Sequence, residues 1–392
     1  MPDPISVLVV DDSALMRNLI SRIVESTPGL TVADKAMNGL FALQKIPRCN
    51  PDVIVLDIEM PEMNGIEFLR ERKRLGMDIP VVILSSIARQ GAQVTMEALA
   101  LGASDFITKP SGSVSSDIHT VAAELGRLLL AYGTQYQKSK GKVVKQLRFD
   151  APERMFEPLP EREPLAEREP GREALRERKP APQEPKAAAK PVAKPARAPA
   201  DTEIIAIGIS TGGPNALREV FARIDPKLRQ PVVVVQHMPA GFTGEFASSL
   251  DRICPLEVKE AAEGDLLKPG RILIAPGDWH ITVEKKSLAG VVHVNQDPQE
   301  NGHRPSADVL FRSVAREFGN KALAVIMTGM GKDGARELGS IYQEGGITLG
   351  QDEGSCVVYG MPKVAWEMGH VMEQVSLSAM ADRIGALARE KR

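Results

Sequence analysis

The chain has 392 residues, more than one hydrophobic core usually organises, so two domains are expected. Its 49 Lys plus Arg nearly balance 51 Asp plus Glu, and no long basic stripe occurs outside one proline-rich stretch, which excludes a general nucleic-acid footprint. Every apolar run is far shorter than a membrane span, the start MPDPISVLVVDDS lacks a basic leader, and Cys49, Cys254 and Cys356 lack metal-type spacing; a soluble cytoplasmic protein with no membrane insertion and reduced, buried cysteines is expected.

In chain order, ISVLVVDD, LTVADKAM, PDVIVLDI, IPVVILSS and ASDFITK read as five strands. Helix-period stretches separate them: SALMRNLISRIVES, GLFALQKI, EFLRERKRL and TMEALALG, with IHTVAAELGRLLLAY last. This is the pattern of a doubly wound α/β domain over residues 1–138, and the nearly continuous apolar runs suit a parallel sheet covered on both faces. Residues 139–201 follow as a charged linker: positions 151–200 hold 11 of the chain's 29 prolines, and such a segment buries too little apolar surface to offset its ordering entropy.

From residue 202 to 392 the α/β grammar returns. EIIAIGIS, PVVVVQHM, ALAVIMTG and GITLGQ read as buried strands, each followed by a helix or turn. RILIAPGDWHITVEKK and AGVVHVN read as an antiparallel β insertion, with Pro276, Gly277 and Asp278 supplying turn chemistry. The fold class is therefore α/β: two doubly wound parallel-sheet domains, the second with a small antiparallel insertion, joined by a linker.

Open parallel sheets bind ligands at the carboxyl ends of their strands. In the first domain Asp11 and Asp12 end the first strand, Asp57 the third, Ser85 the fourth and Lys109 the fifth. Three carboxylates gathered by the fold repel one another unless a cation joins them, and all-oxygen ligands suit Mg²⁺. VVDDS, DIEMP, LSS and ITKP at this spacing resemble the response-regulator receiver domain. The resemblance implies that Asp57 accepts a phosphoryl group from a histidine kinase. It further implies that Asp11, Asp12, Asp57 and the backbone carbonyl of Glu59 hold Mg²⁺, while Ser85 and Lys109 support the phosphoryl group. Phe106 falls where receivers place a switching aromatic, and equally reads as an ordinary apolar residue of the fifth strand.

In the second domain, Gly208-Ile209-Ser210-Thr211-Gly212 satisfies the nucleophile-elbow pattern between a strand and the helix begun by Pro214. A serine nucleophile needs a base and an orienting acid. Of His237, His280, His293, His303 and His370, only His237 ends a parallel strand, on the same rim as Ser210; His280 and His293 fall in the β insertion, and His303 is a loop residue able to line a pocket. Asp333 sits on a glycine-rich turn after another strand. The order Ser, His, Asp differs from that of α/β-hydrolases. A competing pattern is present: Gly329, Gly331 and Gly334 spell G-x-G-x-x-G with Asp352 beyond, as for a dinucleotide, though Asp333 would then stand within the pyrophosphate loop.

GISTGGP, QHMPAGFTG, LIAPGDWH, HRPSADVLF, TGMGKDGA and GQDEGSCVVYGMP together resemble the chemotaxis protein-glutamate methylesterase (CheB) family over residues 203–375, and the receiver–linker–esterase order matches as well. The resemblance implies a phosphorylation-activated hydrolase that removes methyl esters from chemoreceptor glutamates and deamidates receptor glutamines. In it Ser210 is the nucleophile, His237 the base, Asp333 its orienting partner, Met330 an oxyanion-hole backbone donor and Thr211 an assisting residue. Mg²⁺ belongs to the receiver and the ester hydrolysis needs no cofactor.

Overall fold

The structure, a computed structural model, describes residues 3–85, 89–109, 117–141, 195–287 and 289–391. Most of the expected linker, residues 142–194, lies outside the described residues. The first domain runs β1 (Ile5–Val10), α1 (Ala14–Ser26), β2 (Leu30–Ala36), α2 (Gly39–Cys49), β3 (Val53–Asp57), α3 (Gly65–Arg74), β4 (Val81–Ser85), α4 (Arg89–Ala100), β5 (Asp105–Thr108) and α5 (Asp117–Ser139). Its five strands form a parallel sheet in the order β2-β1-β3-β4-β5. β3 and β4 are buried along their whole length, as their unbroken apolar runs require. Polar residues start the helices: the side chains of Ser13, Asn38 and Asn64 each accept a first-turn N–H, and Asn64 with Glu67 completes a reciprocal capping box.

The second domain runs β6 (Ile204–Ile209), α6 (Gly213–Ala222), β7 (Val232–Gln236), α7 (Thr243–Asp251), β8 (Glu257–Glu260), β9 (Arg271–Ile274), β10 (His280–Lys285), β11 (Gly290–Asn295), α8 (Ala307–Phe318), β12 (Ala322–Ile326), α9 (Ala335–Gln343), β13 (Ile347–Gln351), α10 (Met361–Glu367), β14 (Glu373–Val375) and α11 (Leu377–Arg389). Seven strands form a second parallel sheet, ordered β14-β13-β12-β6-β7-β9-β8. Among the described residues β10 and β11 stand apart, as an antiparallel hairpin whose Ile281, Val283 and Val292 pack into the core beside Phe311 and Val314 of α8. Arg271–Ile274 thus departs from the expected insertion: its Ile272, Leu273 and Ile274 are fully buried on both faces, which only an interior strand of the large sheet provides. The edge strands β8 and β14 are short and polar, EVKE and EQV, and carry no apolar run by which to read them.

Among the described residues no helix is long and apolar enough to cross a membrane. Pro195–Ala200 runs along the second domain, where the Ala196 N–H donates to Gln343 O (2.7 Å) and the Ala200 N–H to Asn320 O (3.0 Å). The two domains share one apolar cluster that passes from Met96 and Phe106 to Phe242 and Phe246.

Candidate active site

Neighbouring strands continue in opposite lateral directions between β1 and β3 in the first domain, and between β6 and β12 in the second. Loops leaving the carboxyl ends on either side of such a reversal diverge and open a crevice. Ser210 leaves β6, Asp333 lies on the turn after β12, and His237 leaves β7, whose Gln236 pairs in register with Ile209. Sheet topology therefore gathers three residues that are far apart in sequence.

The loop around Ser210 depends on small residues. Gly212 has φ +78°, a left-handed conformation unfavourable to side chains, and a Cβ there would meet Val357 Cβ at 2.8 Å. Gly329 is needed for close approach, since a Cβ on it would lie 2.8 Å from Ser210 Cβ. The Ser210 N–H donates to Thr328 O (3.0 Å), tying the serine turn to the end of β12. Pro214 occupies the first turn of α6, as its missing N–H allows.

His237 Nδ1 is 3.1 Å from Ser210 Oγ, and its Nε2 is 2.8 Å from Asp333 Oδ2. The ring thus runs in the reverse sense to the familiar serine-protease arrangement, in which Nε2 faces the serine. Asp333 is 1 % exposed and heavily solvated by protein: Oδ2 also accepts the Ala307 N–H (2.6 Å), and Oδ1 accepts Asn301 Nδ2 (2.8 Å), Ser306 Oγ–H (2.6 Å) and the Asp308 N–H (3.4 Å). Burial alone would raise the Asp333 pKa, but the bond and charge of His237, with Ser306 and Asn301, outweigh it and hold the carboxyl well below the ordinary range. Two of its donors are N-terminal amides of α8, where the helix dipole favours an anion. With Asp333 ionised, Nε2 carries a proton towards it and Nδ1 is left as an acceptor for the serine hydroxyl.

Met330 follows Gly329 on the loop against Ser210, and the Thr211 carbonyl accepts from Thr328 Oγ1 (3.0 Å). The residues of the dinucleotide pattern are used otherwise. Gly329 presses on Ser210, the Asp333 side chain turns to His237, and Asp352 Oδ1 accepts the N–H and Oγ–H of Ser355 (2.9 and 2.6 Å). Asn301 and Ser306 escaped sequence reading; the one available signal was the polar residue immediately before the amphipathic run ADVLF. His303 lies with its ring stacked on His237.

The first domain covers this crevice. A cavity of about 270 Å³ is lined by Ser210, Thr211, His237 and His303 on one side and by Phe106 and Leu128 on the other. The Phe106 ring stacks on Phe242 with centroids 4.9 Å apart, which gives this aromatic an interdomain contact. Asp105 Oδ2 accepts the Gly212 N–H (3.0 Å) and the Tyr132 O–H (3.1 Å), and burial pushes its pKa up to about 6. Asn215 Nδ2 donates to the carbonyls of Ala103 (2.8 Å) and Ser104 (3.0 Å).

At the first domain's own reversal point, carboxylate oxygens of Asp11, Asp12 and Asp57 lie within 4.8 Å of one another. Lys109 Nζ is 2.6 Å from Asp57 Oδ2 and 3.6 Å from Asp11 Oδ2. Burial, then the charge of Asp57, raises the Asp11 pKa to about 6. Asp11 Oδ2 is buried and among the described residues no hydrogen-bond donor reaches it, so an all-oxygen donor set with an unsatisfied lone pair fits a hard cation. Ser85 Oγ is 2.5 Å from Thr95 Oγ1, and both Ser85 and Glu59 line the same opening as Asp57.

Comparison with known proteins follows the same division. The family model described as response regulator receiver domain matches residues 7–119, and that described as CheB methylesterase matches residues 205–384. A protein-glutamate methylesterase/protein-glutamine glutaminase of Treponema denticola is 60% identical over 99% of both chains, and one of Treponema pallidum is 54% identical over 97% of this chain and 96% of its own. The crystal structure of the Thermotoga maritima CheB methylesterase catalytic domain is 36% identical with a TM-score of 0.47, covering 47% of this chain and 98% of that one. With both domains matched in order and relatives aligned end to end, the chain belongs to the protein-glutamate methylesterase/protein-glutamine glutaminase family.

Proposed function

We propose that this chain is a phosphorylation-activated hydrolase of the cytoplasm that cleaves γ-methyl esters of chemoreceptor glutamates, releasing methanol, and deamidates receptor glutamines. Its division of labour is a receiver at 1–138, a linker at 139–201 and a catalytic domain at 202–392. The observation that carries the catalytic assignment is the continuous path from Ser210 Oγ through both nitrogens of His237 to a buried, ionised Asp333.

His237 Nδ1 takes the Ser210 proton as Oγ attacks the ester carbonyl, and Asp333 stabilises the imidazolium through Nε2–H. The Met330 backbone N–H, assisted by Thr211, receives the tetrahedral oxyanion. Collapse expels methoxide, which leaves as methanol with the proton held on Nδ1; water, deprotonated by the same nitrogen, then frees the acyl group and restores Ser210. A glutamine follows the same path and releases ammonia. Because the serine faces Nδ1, the neutral ring must carry its proton on Nε2 for every step.

The receiver supplies control. An α-helix with its side chains is ~10–12 Å across, so a receptor helix requires more room than a cavity of about 270 Å³ roofed by Phe106 and Leu128. This arrangement is the resting one, and phosphorylation of Asp57 by the chemotaxis histidine kinase shifts the population towards an open one. Asp11, Asp12, Asp57 and the Glu59 carbonyl would hold Mg²⁺, which when bound neutralises charge on the incoming phosphoryl group. Lys109, already paired with Asp57, moves its charge to that group, and Ser85 donates to it.

The test is methanol release from methylated receptor membranes, with and without a small-molecule phosphodonor, by wild type and Ser210→Ala. Wild type should be stimulated and the variant silent; a variant that retains turnover would sink the nucleophile assignment.

A further inference from the structure

The His303 ring lies almost parallel to that of His237, with centroids 3.9 Å apart and 13° between planes. Among the described residues its ring nitrogens take no hydrogen bond, and its ring is engaged face to face with that of His237. The loop that carries it is well fixed. The His303 N–H donates to Glu300 O (3.0 Å), the Glu300 N–H returns to His303 O (3.1 Å), and the neighbouring Arg304 guanidinium pairs with Asp278 (2.7 Å). Asn301 and Ser306, on either side of His303 in the same loop, hold Asp333. One short segment therefore grips the acid of the relay by hydrogen bonds and its base by ring stacking.

We propose that His303 is a positioning residue: its ring holds the His237 imidazole in the plane that keeps Nδ1 on Ser210 and Nε2 on Asp333. This rests on the assignment of Ser210, His237 and Asp333 given above. Hydrogen bonds at the two ends of an imidazole fix its in-plane direction but resist tilting about the line joining them only weakly. A flat partner at van der Waals distance supplies the missing restraint, because tilt would drive one ring edge into it.

The second ring also has the right charge. Burial, and then the charge of His237, lower the His303 pKa to about 4, with Asp333 opposing, so His303 is neutral at neutral pH. Its π face is then turned towards the imidazolium that forms on His237 during attack, an attractive arrangement rather than a like-charge one. The titratable groups facing it are His237 and Asp333, and across the cavity the receiver's Asp105 and Glu124; the neighbouring Arg304 is paired with Asp278, and Glu300 of its own loop is occupied by Arg312 and Arg336.

The experiment measures kcat and KM for methanol release by the full-length protein with phosphodonor, comparing wild type, His303→Ala and His303→Phe, with Ser210→Ala and His237→Ala alongside. Misplacement of a reacting group by about 1 Å costs on the order of 10²-fold, so His303→Ala should lower kcat by about 10- to 100-fold with KM within about threefold. His303→Phe keeps a flat, uncharged face and should recover most of the lost kcat. Wild-type kcat in His303→Ala, an effect confined to KM, or a Phe variant as impaired as Ala would each overturn the proposal. If His303→Ala fails to fold, His303→Leu, which keeps bulk without a flat face, replaces it in the comparison with Phe. Turnover retained by Ser210→Ala or His237→Ala would instead refute the underlying assignment, a result distinct from failure of the stacking role.

Discussion

Asn215 offers a way to open the resting arrangement without touching the chemistry. It lies in the first turn of α6, half-buried, and its amide spans the domain boundary with two hydrogen bonds, to Ala103 O at 2.8 Å and Ser104 O at 3.0 Å. In an opened molecule the same amide and carbonyls bond to water, so Asn215→Ala destabilises only the closed form. At about 0.5–1.5 kcal/mol net for each bond, the two together shift the balance by about 1–3 kcal/mol, which corresponds to roughly 5- to 150-fold in the closed-to-open ratio. Methanol release without phosphodonor should rise by that factor until it reaches the stimulated wild-type rate, while the stimulated rate itself stays unchanged. Alanine is at least as good a helix former as asparagine, so α6 should be unharmed. Basal turnover equal to wild type, with phosphodonor stimulation undiminished, would refute the view that this face holds the enzyme closed.

On the proposed mechanism Asp333→Asn removes the charge that stabilises the His237 imidazolium and should lower kcat by roughly 10³–10⁴-fold in the same methanol assay. It should also lower the unfolding temperature of the second domain, because an amide N–H₂ would face donors that now bond to the buried carboxylate. Chelating divalent cations, or Asp57→Ala, should abolish stimulation by phosphodonor while leaving basal release intact; loss of basal release on chelation would contradict the division of roles. Burial holds the Asp105 pKa up at about 6 within the closed form, where the carboxyl accepts the Gly212 N–H across the domain boundary, so Asp105→Ala should weaken closure. Unstimulated methanol release should therefore rise in Asp105→Ala while the stimulated rate stays at that of wild type, and an unchanged unstimulated rate would refute the role of this contact.

Much of both sites could be read from strand endings. Apolar runs that stop at Asp11, Asp57 and Ser85, and at Ser210 and His237, place those residues on sheet rims whatever the details of the loops. Asp333 was legible because a glycine-rich turn follows β12. The groups that make the relay work were not. Asn301, His303 and Ser306 arrive on a long loop after the β10–β11 hairpin, and their contacts with Asp333 and His237 are non-local, so no spacing announces them. Asp105 reads as one more residue of ASDFITK, because its chief partner, the Gly212 N–H, belongs to the other domain. Arg271–Ile274 was misread for a related reason: it is followed at once by the hairpin, and local pattern cannot tell which sheet a four-residue strand will join.

Among the described residues the contacts between the domains include one aromatic stack, the Asp105 and Asn215 bonds and the apolar residues around them. As an encounter between separate molecules such a patch would be weak, but both halves are one chain, and a tethered partner sits at an effective concentration on the order of mM. Only about 4 kcal/mol of contact energy is then needed for the closed form to match the open one. On the proposed reading, a weak patch serves a switch better than a strong one: the modest free energy of one phosphoryl group would suffice to release it, and once that group is hydrolysed the receiver would never be far enough away for diffusion to limit its return. A chain built so would carry its inhibitor at fixed stoichiometry, and adaptation would track kinase activity rather than the expression level of a separate regulator.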